Sequence, residues 1–152
     1  MAVMSQSGDL RPPALDREQL TDLLSVEFPE FLHPGSGVTL ETVGRGHAVV
    51  RQAYAPHMLR PGGTVSGPTL MALADCAMYV VLLSAIGPVG LAVTTNLNIN
   101  FLRKGAPGQD VLAQARLLKL GKRLAVGEVT LLSGNSPDPI AHVTATYSIP
   151  TK

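Results

Sequence analysis

The chain has 152 residues, 45% hydrophobic and 15% charged, with a net charge of +1. That length can bury one core, and the near-neutral charge gives no electrostatic reason to bind nucleic acid or an anionic membrane surface. A lone cysteine, Cys76, excludes an internal disulfide framework and fits a reducing, cytoplasmic setting.

The opening residues, 1–15, are small, polar and proline-containing, and they read as disordered. No basic leader with an apolar run opens the chain, so no signal peptide is expected. Residues 16–152 then read as one domain. Asp16 caps a short amphipathic helix in which Leu20, Leu23 and Leu24 share a side. Phe28, Phe31 and Leu32 follow, bounded by Pro29 and Pro34. This helix is expected to pack as a lid on a sheet edge, with little functional weight.

From Ser36 the pattern alternates with period two. Val38, Leu40 and Thr42 form one run, and H-A-V-V-R-Q-A-Y-A forms the next, after Gly44-Arg45-Gly46. That is a hairpin. A long helix is predicted over Pro68–Ile86. Ser66 or Gly67 serves as its N-cap, Pro68 takes its first position, and Gly87-Pro88 stops it. In the strand that follows, Val93, Thr95, Leu97, Ile99 and Phe101 are placed on one face, with Thr94 and the asparagines 96, 98 and 100 on the other. The asparagine face suits solvent, an interface or a ligand groove. Strands are predicted at Val111–Leu120 and Leu124–Leu132, joined at Gly121-Lys122, and a last one over 141–149. Two strands, one long apolar helix and further antiparallel strands define an α+β fold. The uncharged run Cys76–Leu102 raises a membrane question, but glycines, a proline, Thr94 and three asparagines interrupt it.

One residue stands out. Between Arg60 and Arg103 the only charged side chain is Asp75, in the middle of a helix apolar on nearly every face. Such a helix is normally buried, and a lone carboxylate there is costly unless it is partnered. Asp75 is therefore either tied structurally to Arg60 or to hydroxyls, or it does chemistry. The helix start adds free N–H groups and a positive dipole end near Gly67, which suit a carbonyl oxygen gaining negative charge.

The segments G-G-T-V-S-G-P-x-L-x-x-L-A-D, V-T-T-N-L-N-I-N-F-L-R and L-G-K-R-L-A-V-G-E-V resemble the PaaI-like branch of the hotdog-fold acyl-CoA thioesterases, over roughly residues 38–149. The resemblance implies a curved antiparallel sheet wrapped around one central helix. In that family a His-Gly-Gly turn opens the helix and an acid follows nine positions after the His. Here Ser66-Gly67-Pro68 fills the turn and Asp75 is the acid. Arg60 stands where the family often has Asn. Thr94 falls where family members carry Ser or Thr near the scissile carbonyl.

The expected site follows. Asp75 is general base or nucleophile, the Gly67 N–H is the oxyanion donor, and Ser66 and Thr94 assist. Arg60 and Gly63 belong to the approach loop. Gly121, Lys122 and Arg123 form a cationic turn able to hold the phosphates of coenzyme A. Eight helical residues separate Gly67 from Asp75, about 12 Å along the axis. One thioester therefore meets both only if they come from different chains of a two-fold dimer, which also allows a tetramer. Coenzyme A enters as part of the substrate, and no other cofactor is expected. His33, His47, His57 and His142 lack metal-ligand spacing, so no metal is expected. Cys76 is a poor nucleophile beside an acid in an apolar site. The alternative is a non-catalytic protein that binds acyl-CoA or another acyl ligand on the same scaffold. A hydratase is disfavoured because no histidine lies in the helix or its opening turn.

Overall fold

The central helix forms where the local signals put it. In the computed structural model, which describes residues 9–151, α2 spans Gly67–Ile86. The Ser66 hydroxyl accepts the Thr69 N–H at 3.3 Å, Pro68 sits in the first turn, and Gly87 closes the helix at φ 85°. The last carbonyls of α2 are also satisfied. Arg45 donates to the Ala85 carbonyl, and the Ala14 N–H to that of Ser84. By length and composition α2 could cross a membrane. Here it is the core: Ala77, Met78, Val80, Val81, Leu82 and Leu83 are fully buried.

The remaining elements are α1 (Arg17–Glu27), β1 (Val38–Gly44), β2 (His47–Gln52), β3 (Val93–Phe101), β4 (Val111–Leu120), β5 (Leu124–Ser133) and β6 (Ala141–Ser148). Asp16 and Gln19 close a reciprocal capping box on α1. The strands make one antiparallel six-stranded sheet in the order β1-β2-β4-β5-β6-β3, with α2 packed chiefly on β4, β2 and β5. This is the α+β hotdog arrangement: a curved sheet around one long helix. The inner residues of β4, β5 and β6 are small or branched, among them Ala113, Ala115, Ala125, Val129, Val143 and Ala145, all buried. That lets the sheet approach the helix closely. Gly127 marks the tightest point, where a Cβ would stand 2.5 Å from the Met78 sulfur.

Two expectations are corrected. The chain becomes anchored before residue 15: Arg45 holds the Pro12 carbonyl, Ala14 bonds Ser84, and Leu15 packs on the core. The rest of the expected disordered segment, residues 1–8, lies outside the described residues. The predicted face of β3 is also wrong in part. A bulge at Thr95 shifts the register between Thr94 and Asn96. Thr94 is opposite Tyr147, and Leu97, Ile99 and Phe101 are opposite Ala145, Val143 and Ala141, so all four share the inner face. Asn96, Asn98 and Asn100 point outward, with Val93. One extra residue inverts the parity of every position beyond it. α1 packs on β1, an edge strand, as expected, and the residues at and after its end line the cavity described next.

Candidate active site

Asp75 lies midway along α2, half-buried, on the side of the helix that faces β3 and β6. Its Oδ1 accepts two hydroxyls, from Thr94 at 2.5 Å and from Tyr147 at 2.8 Å. The Tyr147 hydroxyl also stands 2.9 Å from the Asp75 carbonyl oxygen. Thr94 and Tyr147 are cross-strand partners on β3 and β6, so the sheet delivers both donors to one point. Among the described residues, no Arg, Lys or His pairs with Asp75. Thus Asp75 is tied by hydroxyls, and it also borders a cavity of about 310 Å³.

Four of the chain's six Phe and Tyr residues line that cavity: Phe28, Phe31, Tyr79 and Tyr147. Their rings are in series. Phe31 meets Phe28 edge-on at 5.9 Å, Phe28 meets Tyr79 at 6.5 Å, and Tyr79 stacks on Tyr147 at 6.2 Å. Cys76, Thr94 and Glu27 complete the polar part of the lining. Burial, and then the Asp75 charge, push the Cys76 thiol up to about 12, which leaves it protonated and inert at neutral pH. Burial also raises the Tyr147 hydroxyl, and burial followed by the Glu27 charge raises that of Tyr79. Both stay protonated and able to donate.

The other expected site residues occupy two further places. Ser66, Gly67, Gly63 and Arg60 gather at the start of α2, about 12 Å from Asp75 along the helix. Arg60 is exposed in the turn closed by its hydrogen bonds with Thr64 and Gly63, and it does not reach Asp75. The Gly67 N–H makes no hydrogen bond among the described residues. A Cβ on Gly67 would press against the Phe101 ring at 3.1 Å, so the position has little room for a side chain. Gly121, Lys122 and Arg123 form the exposed β4–β5 turn. The Arg123 carbonyl accepts the Ile149 N–H at 2.7 Å, and Leu124, Ser148 and Val93 stand in register. The basic turn therefore stands at the same end of the sheet as Thr94 and Tyr147.

Sequence reasoning missed Tyr147, Tyr79 and the contribution of Glu27, Phe28 and Phe31. Tyr147 was visible as the one hydroxyl-bearing side chain on the inner face of β6. The α1 tail carried no signal beyond its aromatic residues.

The fold and this acid beside an aromatic-walled cavity define a class of protein. The thioesterase superfamily description matches residues 62–140, more than half of the chain. The chain belongs to that family. Within it the chain is of the PaaI-like hotdog type, as the likeness to solved structures shows. One, from Silicibacter sp. TM1040 and described provisionally as a thioesterase, is 42% identical, covers 91% of this chain and 94% of its own, and superposes with a TM-score of 0.83. The phenylacetic acid degradation protein PaaI from Thermus thermophilus is 27% identical over 80% of this chain and 99% of its own, with a TM-score of 0.70. A Streptococcus mutans protein solved bound to acetyl CoA shares the fold at 24% identity, covering 76% of this chain and 90% of its own, with a TM-score of 0.69. No match to a curated protein was found.

Proposed function

We propose that the protein hydrolyses acyl-CoA thioesters at sites shared between two copies of the chain. The observation that carries this reading is the Asp75 carboxylate. One of its oxygens is held by Thr94 and Tyr147, and the group borders an apolar, aromatic-walled cavity with no cation among the described residues to neutralise it.

The reaction needs a base and an oxyanion donor about one thioester apart. In one chain Asp75 and the Gly67 N–H are too far apart to share a carbonyl. Pairing supplies the second half of the site. β3 is an edge strand with exposed Val93 and Phe101, and Met71 is exposed on the open side of α2. An unpaired apolar edge of this kind favours a second copy. The Gly67 N–H of the partner subunit then polarises the carbonyl, helped by the positive end of its helix. Asp75 takes a proton from water as the water oxygen bonds to the carbonyl carbon, or it attacks that carbon itself to form an anhydride, which water then hydrolyses to free the acid and Asp75. The tetrahedral intermediate collapses, the C–S bond breaks, and the sulfur leaves with coenzyme A, taking up a proton. Thr94 keeps the carboxylate aimed, and Ser66 holds the helix start in place. Lys122 and Arg123 are placed to meet phosphate, the chemistry that coenzyme A brings. The S. mutans protein of the same fold, solved with acetyl CoA, points to the same ligand class. Coenzyme A is thus part of the substrate, and no separate cofactor is invoked.

The test is release of free thiol from a panel of aliphatic and aromatic acyl-CoA esters, measured on purified protein of known mass in solution. Sustained turnover by a dimer or larger assembly is expected. Saturable binding without thiol release favours the non-catalytic alternative. Neither binding nor turnover across the panel overturns both.

A further inference from the structure

We infer that Tyr147 is a positioning residue that decides which oxygen of Asp75 does the chemistry. This rests on the thioesterase reading and goes beyond it, because nothing in the helix motif points to the last strand.

The two oxygens of this carboxylate are bonded unequally. Oδ1 takes both hydroxyls, from Thr94 at 2.5 Å and Tyr147 at 2.8 Å. Oδ2 takes none from the described residues, yet no buried side-chain oxygen or nitrogen among them lacks a partner. Oδ2 is therefore open to the cavity, while Oδ1 is fixed. A carboxylate anchored through one oxygen presents the other in a defined direction, which is what a base or nucleophile needs.

Tyr147 suits this role for three reasons. It is 4% exposed, so its ring cannot swing away. Its ring stacks on Tyr79, one helical turn after Asp75. Its hydroxyl stays protonated, because burial raises its pKa. The titratable groups that face Asp75 are Cys76 and Tyr79 on α2, Tyr147 on β6 and Glu27 at the end of α1, with the neutral Thr94 hydroxyl on β3. All are anionic or neutral. Among the described residues, the carboxylate is held by hydroxyl donors alone, which orient it.

The experiment compares Tyr147→Phe and Thr94→Val with the parent protein over a full pH range. The expected result for Tyr147→Phe is a fall in kcat of roughly 10- to 100-fold, with KM within about twofold. Loss of a donor makes a carboxylate easier to protonate, so the acid limb of the kcat/KM profile moves to higher pH. Thr94→Val should move the same limb the same way, and Thr94→Ser should restore it. An unchanged kcat and profile in Tyr147→Phe overturns the inference. So does a lower melting temperature with an unmoved acid limb, which would reduce Tyr147 to packing. If Tyr147→Phe does not fold, Thr94→Val still reads the anchoring of Oδ1, and an unmoved limb there overturns it. Asp75→Asn, assayed alongside, separates two failures. If it retains full turnover, the thioesterase reading falls. If it is inactive while Tyr147→Phe is unaffected, only this inference falls.

Discussion

The two halves of α2 are made of the same apolar side chains and meet opposite surroundings. In the second half, Ala77–Ile86, every residue but Tyr79 and Ile86 is buried. In the first half, Gly67–Cys76, only Leu70, Leu73 and Ala74 are buried, while Pro68, Met71 and Ala72 are exposed. Both expected ends of the reaction lie in the first half. One rod is thus core at one end and partly exposed at the other. The contacts explain part of the difference: α2 packs chiefly on β4, β2 and β5 and more lightly on β3 and β6, the strands beside Asp75. An apolar helix left half-covered by its own chain is suited to a second copy.

That contrast yields predictions that separate stability from chemistry. Leu82→Ala empties a fully buried position in the second half. It should cost about 2–5 kcal/mol in denaturant unfolding, with kcat of the folded protein retained. A cost below about 1 kcal/mol would mean that this half is not the core. Met71→Glu places a charge on the bare side of the first half, where Met71 is 41% exposed. Intrinsic stability should change by less than about 0.5 kcal/mol. The mass in light scattering should fall toward that of a single chain, and turnover should fall with it. An active oligomer in that variant would place the pairing surface elsewhere.

Replacing Lys122 and Arg123 together by Ala should raise KM for CoA esters several-fold with kcat nearly kept. An equal effect on a short thioester lacking coenzyme A would refute the phosphate role. The smallest effect lies on the outer face of the sheet, away from the helix. Burial of Glu128 opposes its ionisation, but hydrogen bonds from His142 and Arg116 outweigh that and lower its pKa. A lowered acid stabilises the fold fully above the unfolded carboxylate value and loses that contribution as pH falls through the folded one. Glu128→Gln should therefore cost about 1 kcal/mol at neutral pH, and the deficit should vanish in acid. A deficit independent of pH would show that charge is not the cause.

Much of this architecture was legible in the residues because its signals are local. Ser66, Pro68 and Gly87 mark the ends of α2, Asp16 starts α1, and alternation located the strands. Asp75 stood out because no other residue between Arg60 and Arg103 is charged. What could not be read depended on distance or on a single insertion. The Thr95 bulge has no glycine to announce it, yet it turns Thr94 from the outer face to the inner. Tyr147 lies 72 residues beyond Asp75, and only the β3–β6 pairing brings them together. The Glu27–Phe31 tail reaches the cavity from outside the matched family segment, through packing that no local pattern encodes.

The most direct test of the account is thiol release by Asp75→Asn, an isosteric change that removes the charge and leaves Thr94 and Tyr147 a partner. The account predicts a drop in kcat of roughly a thousandfold or more, with the melting temperature and assembly mass of the parent. Parent-like turnover from a well-folded Asp75→Asn protein would contradict it and move the chemistry off the helix.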